Sequence, residues 1–343
     1  MKYRISFGLI LALLLSACLA PATTTVPVTA VHTVTPTPNP PTETSSPSPL
    51  VIFVTETPEA TPTPSASPTA QLSPTPVSPG GSAIIIDHSS IALFDQIPDE
   101  YIQAASQLSL LFQHASVGAN ISLGLDCMQN HFPGYPDPNR RPSACDRELN
   151  PGEVVLDPKY DRSKWVFEQR TSAYWREFVP NFVKRVDGLG AGENYQAVSF
   201  DYGYSLEPAF FELFFTNTDL NDNIPSAQDL EALEARHPDK TVIWWTTELP
   251  RVGTPELIGF NQSMREYALA RGKVLMDIAD IESHLPDGTP CTGIDNNQAP
   301  VDITAVCDEY VNEVFSGHLN SLGRLQGAKG IWVLMARLAG WKP

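Results

Sequence analysis

Short apolar runs alternate with helical patterns of hydrophobic residues from about residue 83 onward. The predicted strands cover 83–86, 109–114, 197–202, 241–247 and 273–278, and the helices cover 98–107, 117–128, 172–186, 227–236, 255–271 and 321–339. Alternation of this kind needs crossover connections, so it predicts an α/β domain whose parallel sheet is covered by helices on both faces. In such a sheet the site lies beyond the carboxyl ends of the strands.

The N-terminus has the pattern of a signal peptide at 1–18. Lys2 and Arg4 precede an apolar run at 7–15 that is too short to span a bilayer. The residues that end it, Leu15-Ser16-Ala17-Cys18, resemble the lipobox of bacterial lipoproteins, which implies that Cys18 is lipidated and becomes the mature N-terminus. The alternative is an ordinary cleaved signal with an incidental cysteine. Lipidation would make the protein an extracytoplasmic, cell-surface lipoprotein that contacts the membrane only through its N-terminal lipid.

Residues 19–81 have a different composition, dominated by Pro, Thr, Ser and Ala. Nearly half of the chain's 32 prolines lie there. Proline at this density removes backbone donors and favours polyproline II, so this segment is predicted to be a disordered linker. The remaining part, 82–343, is of the size of one large α/β domain, and it has no internal repeat. The formal net charge of -17 disfavours nucleic acid as a partner.

The number of cysteines indicates the redox compartment, and the chain has five. With Cys18 assigned to lipid, an even number is left, as expected in an oxidising environment. We predict the local pairs Cys127–Cys145 and Cys291–Cys307, because each closes a Pro/Asn/Asp-rich loop, although three connectivities are open from sequence. A zinc site is disfavoured because no Cys-x-x-Cys pair occurs and no histidine stands at ligand spacing from a cysteine.

Two short segments carry the candidate chemistry. Ser116 follows the strand predicted at 109–114, and His318 precedes the last predicted helix. A serine at a strand end and a histidine near the C-terminus are two parts of a hydrolytic triad. The N–H groups at the start of the helix after Ser116, including that of Gly118, are candidates for holding an oxyanion. The alternative is that Ser116 only caps this helix.

Other polar residues follow the predicted strands. His114 lies two residues before Ser116 and is a candidate for a substrate contact, or for a structural hydrogen bond. Asp201 and Glu248 end two further strands. Glu248 is a candidate for a substrate contact or for the triad acid, and the alternative is a helix cap or a salt bridge with Arg251. The aromatic segment 208–215 is a candidate lid or exposed acyl site.

The order strand, Ser116, helix and a late histidine resembles the SGNH/GDSL hydrolase superfamily. Within it, Phe112 to Gly118 and Gly317-His318-Leu319-Asn320 are similar to a divergent bacterial branch with His-x-Ser-Val-Gly in place of Gly-Asp-Ser. The resemblance implies a three-layer α/β/α fold with a flavodoxin-like parallel sheet. It also implies ester hydrolysis with Ser116 as nucleophile and His318 as base. No metal or cofactor is implied.

The chain departs from the superfamily pattern at three places: the triad acid, the Gly-x-Asn-Asp block, and the oxyanion-glycine block, which is not apparent between the first two strands. The acid of Asp-x-x-His is replaced by Phe315, and among Asp302, Asp308 and Glu313 we choose Asp308, whose loop the predicted disulfide at Cys307 would hold. The Gly-x-Asn-Asp block that supplies oxyanion donors is also absent. Because an ionised Asp201 only accepts hydrogen bonds, the donors left are the Gly203 amide, Asn120 and Tyr202.

Two hypotheses about function follow. The first is a surface-anchored SGNH-type serine esterase that acts on a small-molecule or glycan ester, such as an acetylated glycan, or on a lipid ester. The second is a catalytically inactive lipoprotein that binds carbohydrate or another surface ligand through the same cleft, and the missing Asp-x-x-His favours it. The sequence indicates no oligomeric state.

Overall fold

A computed structural model describes residues 82–129, 159–172, 174–204, 206–219 and 224–343. The chain divides into Met1–Ala66 and Ser67–Pro343, and every described residue belongs to the second unit. The predicted signal peptide, Cys18 and the whole linker at 19–81 lie outside the described residues. In the described part, no helix combines the length and the apolarity that a membrane crossing requires.

Six strands form the main sheet and two more form a hairpin. The sheet strands are β1 (Ile84–Ile86), β2 (Leu110–His114), β3 (Trp165–Gln169), β4 (Ala197–Phe200), β5 (Thr241–Trp245) and β6 (Val274–Met276). The hairpin is β7 (Thr292–Ile294) and β8 (Pro300–Thr304). The helices are α1 (His88–Ile91), α2 (Asp99–Gln107), α3 (Ser116–Gln129), α4 (Phe178–Asp187), α5 (Pro208–Leu213), α6 (Ala227–Arg236), α7 (Pro255–Arg271), α8 (Ile278–Glu282) and α9 (Ser321–Leu338).

Every pairing in the main sheet is parallel. The strand order is β1-β6-β5-β4-β2-β3. Without the extra edge strand β1, this is the flavodoxin-like order in which the first strand lies between the second and the third. The strand order reverses between β2 and β4, and a ligand crevice is expected there in open α/β sheets. The predicted fold class, three-layer α/β/α, is confirmed.

Local chemistry explains why two helices begin and end where the pattern predicts. Ser226 caps α6, and its hydroxyl and the Asp229 carboxylate bond each other's backbone N–H groups in a capping box. Pro255 occupies the first turn of α7, and Gly272 ends it with a φ of 64°. Both helices have the predicted boundaries.

The C-terminal helix α9 is almost entirely buried. It packs against α3, α2, α1 and α8, whereas α4 contacts α6 and α5 contacts α7. Two glycines allow the close approach of α3 and α9, since a Cβ at Gly124 would overlap the Arg324 carbonyl and a Cβ at Gly327 would contact Ile121. The approach matters for the site because α3 begins with Ser116 and α9 follows His318.

Several elements differ from the sequence-based expectation. Strand β3, the short helices α1, α5 and α8, and the β7–β8 hairpin were not expected. Helix α4 begins at Phe178 instead of residue 172, after a short 3₁₀ turn at Trp175–Glu177. The proposal of a lid at 208–215 is wrong for its aromatic side chains. Phe210 and Phe214 are fully buried and pack on the Phe260 ring.

The cysteines agree with one predicted pair. Cys291 and Cys307 form a disulfide with Cα atoms 5.1 Å apart, so this prediction is confirmed. It ties the hairpin region to the segment that precedes His318. Cys127 is buried, but Cys145 lies outside the described residues, and the pairing Cys127–Cys145 stays a prediction.

Candidate functional site

Ser116 is the first residue of α3, directly beyond the carboxyl end of β2, and its side chain is exposed. The strand is buried and apolar, and it ends at a single connecting residue, Ala115, from which the helix starts at once. Ser116 and Val117 are the first two helical residues, so their N–H groups have no acceptor within the helix. The Ser116 hydroxyl and two amides without an acceptor in the helix therefore lie on one turn.

The amide of Gly118 is not available to an oxyanion. Both carboxylate oxygens of Asp201 accept a hydrogen bond from the Ala115 N–H, at 3.0 and 3.1 Å, and Oδ2 also accepts one from the Gly118 N–H at 3.2 Å. The candidate role of Gly118 is corrected accordingly, because its donor is occupied. Asp201 is fully buried, so it holds the turn and does not contact substrate.

The partner of the His318 imidazole is Glu313. Its Oε2 lies 2.9 Å from His318 Nδ1, and the Ser316 hydroxyl lies 3.2 Å from the same nitrogen. A carboxylate on Nδ1 holds the proton there and leaves Nε2 as the basic nitrogen. The choice of Asp308 as the orienting acid is wrong in this structure, since its carboxylate is exposed and lies 3.4 Å from Arg251 Nε.

Asn120 joins the serine helix to the histidine loop. Its side-chain oxygen accepts a hydrogen bond from the Leu319 N–H at 2.8 Å. Ser116 and Asn120 are four residues apart and share one face of α3. The residue after His318 is thus fixed to the helix face that Ser116 begins. Asn120, a candidate oxyanion donor, uses its carbonyl oxygen for this structural bond.

His318 and Glu313 lie in one short loop. An antiparallel bridge between Val311 and Leu319 closes this loop. Tyr204, from the segment after β4, places its ring at 5.9 Å from the imidazole in an edge-to-face arrangement. Its hydroxyl donates to Ser316 Oγ at 3.4 Å. The loop is therefore supported by the neighbouring strand end as well as by its own bridge.

The other candidates have structural positions. His114 is buried and its Nδ1 lies 3.0 Å from the Ala115 carbonyl oxygen, which is the structural hydrogen bond that the sequence left as an alternative. Gly203 has a φ of 77°, a left-handed conformation that suits glycine. Tyr202 is fully buried within an aromatic cluster, so its hydroxyl is not a donor to substrate.

Glu248 is a fully buried carboxyl group. In the described part of the chain neither of its oxygens has a hydrogen-bond partner of normal geometry, and the nearby N–H groups of Glu248 itself and of Gly203 only partly oppose the rise in its pKa. Burial raises the pKa of Glu248 to about 8, and the nearby Asp201 carboxylate adds to this rise. Glu248 is therefore protonated at neutral pH, and its burial contradicts a substrate contact and the role of triad acid.

Sequence reasoning missed Arg170. This residue directly follows β3, a strand that was not expected, so no pattern pointed to it. Its guanidinium donates to the carbonyl oxygens of Asp201 and Tyr202 at 2.8 and 3.2 Å, and its Nε lies 3.6 Å from Asp201 Oδ1. Burial raises the pKa of Asp201, whereas the Arg170 charge and the two amide donors oppose that rise. The groups that bond this carboxylate, the Ala115 and Gly118 amides and Arg170, are all donors and favour its ionised form.

Comparisons with known proteins give matches among solved structures alone. No protein-family profile matches the sequence, and no curated protein does. A G-D-S-L family lipolytic protein from Desulfitobacterium hafniense matches at 10% identity and a TM-score of 0.32, over 68% of this chain and 99% of the other.

The acetylxylan esterase Axe2 from Geobacillus stearothermophilus also matches. One variant of it is 11% identical, with a TM-score of 0.33 over 70% of this chain and 97% of the other. A catalytic mutant of the same esterase is 10% identical, with a TM-score of 0.34 over 69% of this chain and 95% of the other. At these values, the fold rests on the strand order and the site on the contacts within this chain.

One group of potential metal ligands lies away from Ser116, near the ends of β1 and β6. It consists of His88, Asp280 and His284. The two imidazoles are stacked with centroids 3.9 Å apart and an interplanar angle of 15°. Parallel rings direct their in-plane lone pairs in parallel and not toward one point. His88 Nδ1 bonds the Asp280 carboxylate and His284 Nδ1 lies 2.8 Å from the Asp280 carbonyl oxygen, so the group is a hydrogen-bonded cluster.

Proposed function

We propose that the protein is a serine esterase in which Ser116 is the nucleophile, His318 the general base and Glu313 the orienting acid. The contact between Glu313 Oε2 and His318 Nδ1 at 2.9 Å carries this proposal. It supplies the carboxylate that the missing Asp-x-x-His leaves open, and it leaves Nε2 to take a proton. The Asn120 bond to Leu319 supports the proposal, because it fixes the histidine loop to the helix of Ser116.

The reaction follows the acyl-transfer scheme of serine hydrolases. His318 Nε2 takes the proton of the Ser116 hydroxyl while Oγ forms a bond to the acyl carbon of the ester. The N–H groups of Ser116 and Val117 hold the oxyanion of the tetrahedral intermediate. His318 then protonates the leaving alcohol, and a water molecule deprotonated by the same imidazole releases the acid and restores Ser116.

The substrate class we propose is a small-molecule or glycan ester, or a lipid ester. We also propose that Cys18 carries the lipid anchor and that residues 19–81 space the domain from the membrane. A polymeric substrate at the cell surface would then be within reach of a tethered enzyme. Metabolic labelling with a palmitate analogue tests the anchor. Loss of the label in Cys18→Ala, with release of the protein from membranes, is expected.

A fluorophosphonate probe and p-nitrophenyl acetate test the esterase. We expect labelling of the wild type, no labelling of Ser116→Ala, and a rate lower by several orders of magnitude in His318→Ala. Ser316→Ala is the matched control and should still be labelled, because it removes the hydroxyl that lies 3.2 Å from His318 Nδ1 and leaves Ser116 in place. Equal labelling of wild type and Ser116→Ala would reject the nucleophile.

The second hypothesis, an inactive ligand-binding lipoprotein, rested on the absence of an acid at the expected spacing. Glu313 at the imidazole removes that reason. A wild-type protein that the probe leaves unlabelled, while it binds an acetylated polysaccharide, would restore the binding hypothesis.

A further inference from the structure

The turn that begins with Ser116 is held by a buried carboxylate, whose negative charge opposes the formation of an oxyanion nearby. Asp201 occupies the N–H groups of Ala115 and Gly118. Its negative charge therefore lies close to the two amides that the proposed reaction uses for an oxyanion. Two negative charges in a poorly solvated region repel each other strongly. A site of this kind needs a compensating positive charge and no further negative one.

Arg170 supplies the compensating charge and a mechanical link. Its backbone N–H donates to the His114 carbonyl at 2.7 Å, and its guanidinium bonds the backbone after β4. The guanidinium also lies over the Phe178 ring at 3.8 Å. Arg170 therefore links the carboxyl ends of β2 and β4, the first through its backbone N–H and the second through its buried side chain, at the points where Ser116 and Asp201 follow these strands.

Glu248 is the acid whose ionisation would add a second negative charge next to the Asp201–Arg170 pair. It follows β5, the neighbour of β4 in the sheet, and among the described residues its oxygens have no side-chain partner and only the weak approach of the Glu248 and Gly203 N–H groups. The charged or titratable groups around it are Asp201, Arg170 and Glu282. Glu282 is also buried and bonds the Leu249 N–H at 3.0 Å. Only Arg170 is cationic among them, and Asp201 already uses its charge.

We propose that Arg170 and Glu248 are positioning residues for the esterase reaction, acting on the Ser116 turn through Asp201. In the working state Asp201 and Arg170 form one neutral pair, and Glu248 contributes no charge because it keeps its proton. Ionisation of Glu248 in alkaline solution places a second carboxylate beside that pair. It opposes the oxyanion and competes for Arg170, so the reaction slows. The inference rests on the proposed function.

The shape of the pH profile tests the role of Glu248. We expect kcat/KM of the wild type for p-nitrophenyl acetate to fall above about pH 8. In Glu248→Gln, which keeps the shape and cannot ionise, the falling limb should move up by at least one pH unit or disappear. Glu248→Met serves as the second neutral variant if the amide impairs folding, which circular dichroism would show. The exposed Glu100→Gln is the matched control, and its limb should match that of the wild type.

Arg170→Lys tests the mechanical link. The lysine keeps the charge but loses the fork that bonds the Asp201 and Tyr202 carbonyls. We expect kcat to fall by about 10- to 100-fold with little change in KM. A merely structural role would lower the melting temperature and leave the kcat of the folded fraction unchanged, which active-site titration with the probe measures.

The outcomes separate this inference from the proposed function. A labelled, active wild type whose alkaline limb is the same in both Glu248 variants overturns the role of Glu248, and the esterase stands. Full kcat in folded Arg170→Lys overturns the role of Arg170. A wild type without labelling or turnover overturns the proposed function, and this inference falls with it.

Discussion

At the scale of single residues, the site depends on which carboxylate reaches the imidazole. Glu313 and His318 lie in one loop closed by the Val311–Leu319 bridge, and this closure brings residues five apart into contact. Sequence spacing could not reveal it, because the expected Asp-x-x-His pattern assumes a different loop geometry. Asp308 lies before the bridge, directly after the disulfide-bonded Cys307, and its carboxylate contacts Arg251 and not His318.

The Glu313 contact predicts a clear difference between two carboxamide variants. Glu313→Gln keeps the size of the side chain but loses the charge that stabilises the imidazolium, so we expect kcat/KM to fall by about 10- to 1000-fold. Asp308→Asn should change it by less than about threefold, because its carboxylate faces Arg251. Steady-state kinetics with p-nitrophenyl acetate measures both. The reverse ranking would return the role of orienting acid to Asp308.

The residues at the strand ends show how far sequence reasoning reaches at this scale. Ser116, His318 and Asp201 could be selected because they stand where parallel strands or helices end or begin. The roles of Asp201 and Asn120 could not be foreseen, because each depends on a hydrogen bond to backbone more than 80 residues away. Arg170 could not be selected because strand β3, which it directly follows, was not predicted from the sequence.

At the scale of elements, the contact between α3 and α9 sets the distance between the two halves of the site. Helix α9 is buried on nearly all sides, so its position is fixed by packing. Gly124 and Gly327 let the two helices approach at the points where a side chain would clash. The sequence pattern predicted both helices but gave no indication of their mutual approach.

Two glycine substitutions at this scale should have opposite effects. In Gly124→Ala the new Cβ overlaps the Arg324 carbonyl, so we expect the free energy of unfolding to fall by about 1–3 kcal/mol. Gly259→Ala lies inside α7, where nothing approaches within 4 Å of the new Cβ. There we expect a gain of about 0.5–1 kcal/mol. Urea unfolding measures both, and a neutral Gly124→Ala would show that the helices separate without cost.

The disulfide Cys291–Cys307 allows another prediction at this scale. It closes a segment with a sequence separation of 16 that carries the short β7–β8 hairpin. Loss of a crosslink of this length costs about 3 kcal/mol in the chain-entropy account. We expect Cys291→Ala/Cys307→Ala to be destabilised by about 2–4 kcal/mol in urea unfolding. A loss below about 1 kcal/mol would mean that packing alone holds the hairpin.

The success of element prediction followed from local signals. Helices α6 and α7 were predicted to the residue because caps, a proline and a left-handed glycine mark their ends. Strand β3 was not predicted because Trp165–Gln169 is an edge strand with a half-exposed pattern, which resembles a loop in sequence. The β7–β8 hairpin was not predicted because its segment is rich in Pro, Asp and Asn, which are poor strand formers.

At the scale of the whole molecule, charge is distributed unequally between surface and interior. The chain has a net charge of -17, yet the carboxyl groups of Glu248 and Glu282 are fully buried below the proposed site. Burial raises the pKa of both. The pKa values of two buried carboxyl groups are thus raised in a protein with many solvated carboxylates. A raised carboxyl pKa makes the stability of the domain depend on pH with the opposite sign to that of a salt-bridged acid.

Glu248 predicts the direction of this dependence. Its pKa is about 8 in the folded protein and about 4.3 in an unfolded chain. Between these values the folded state binds more protons, so the free energy of unfolding falls as the pH rises, at up to about 1.4 kcal/mol per pH unit. The stabilising contribution is complete below about pH 4 and lost once the pH passes about 8.

Glu248→Gln has no such loss, and it should therefore gain stability relative to the wild type between pH 5 and 9. Urea unfolding of the two proteins and of Glu100→Gln at pH 5, 7 and 9 measures this difference. If the gap between wild type and Glu248→Gln stayed constant across that range while Glu100→Gln followed the wild type, Glu248 would be ionised or solvated in the folded state.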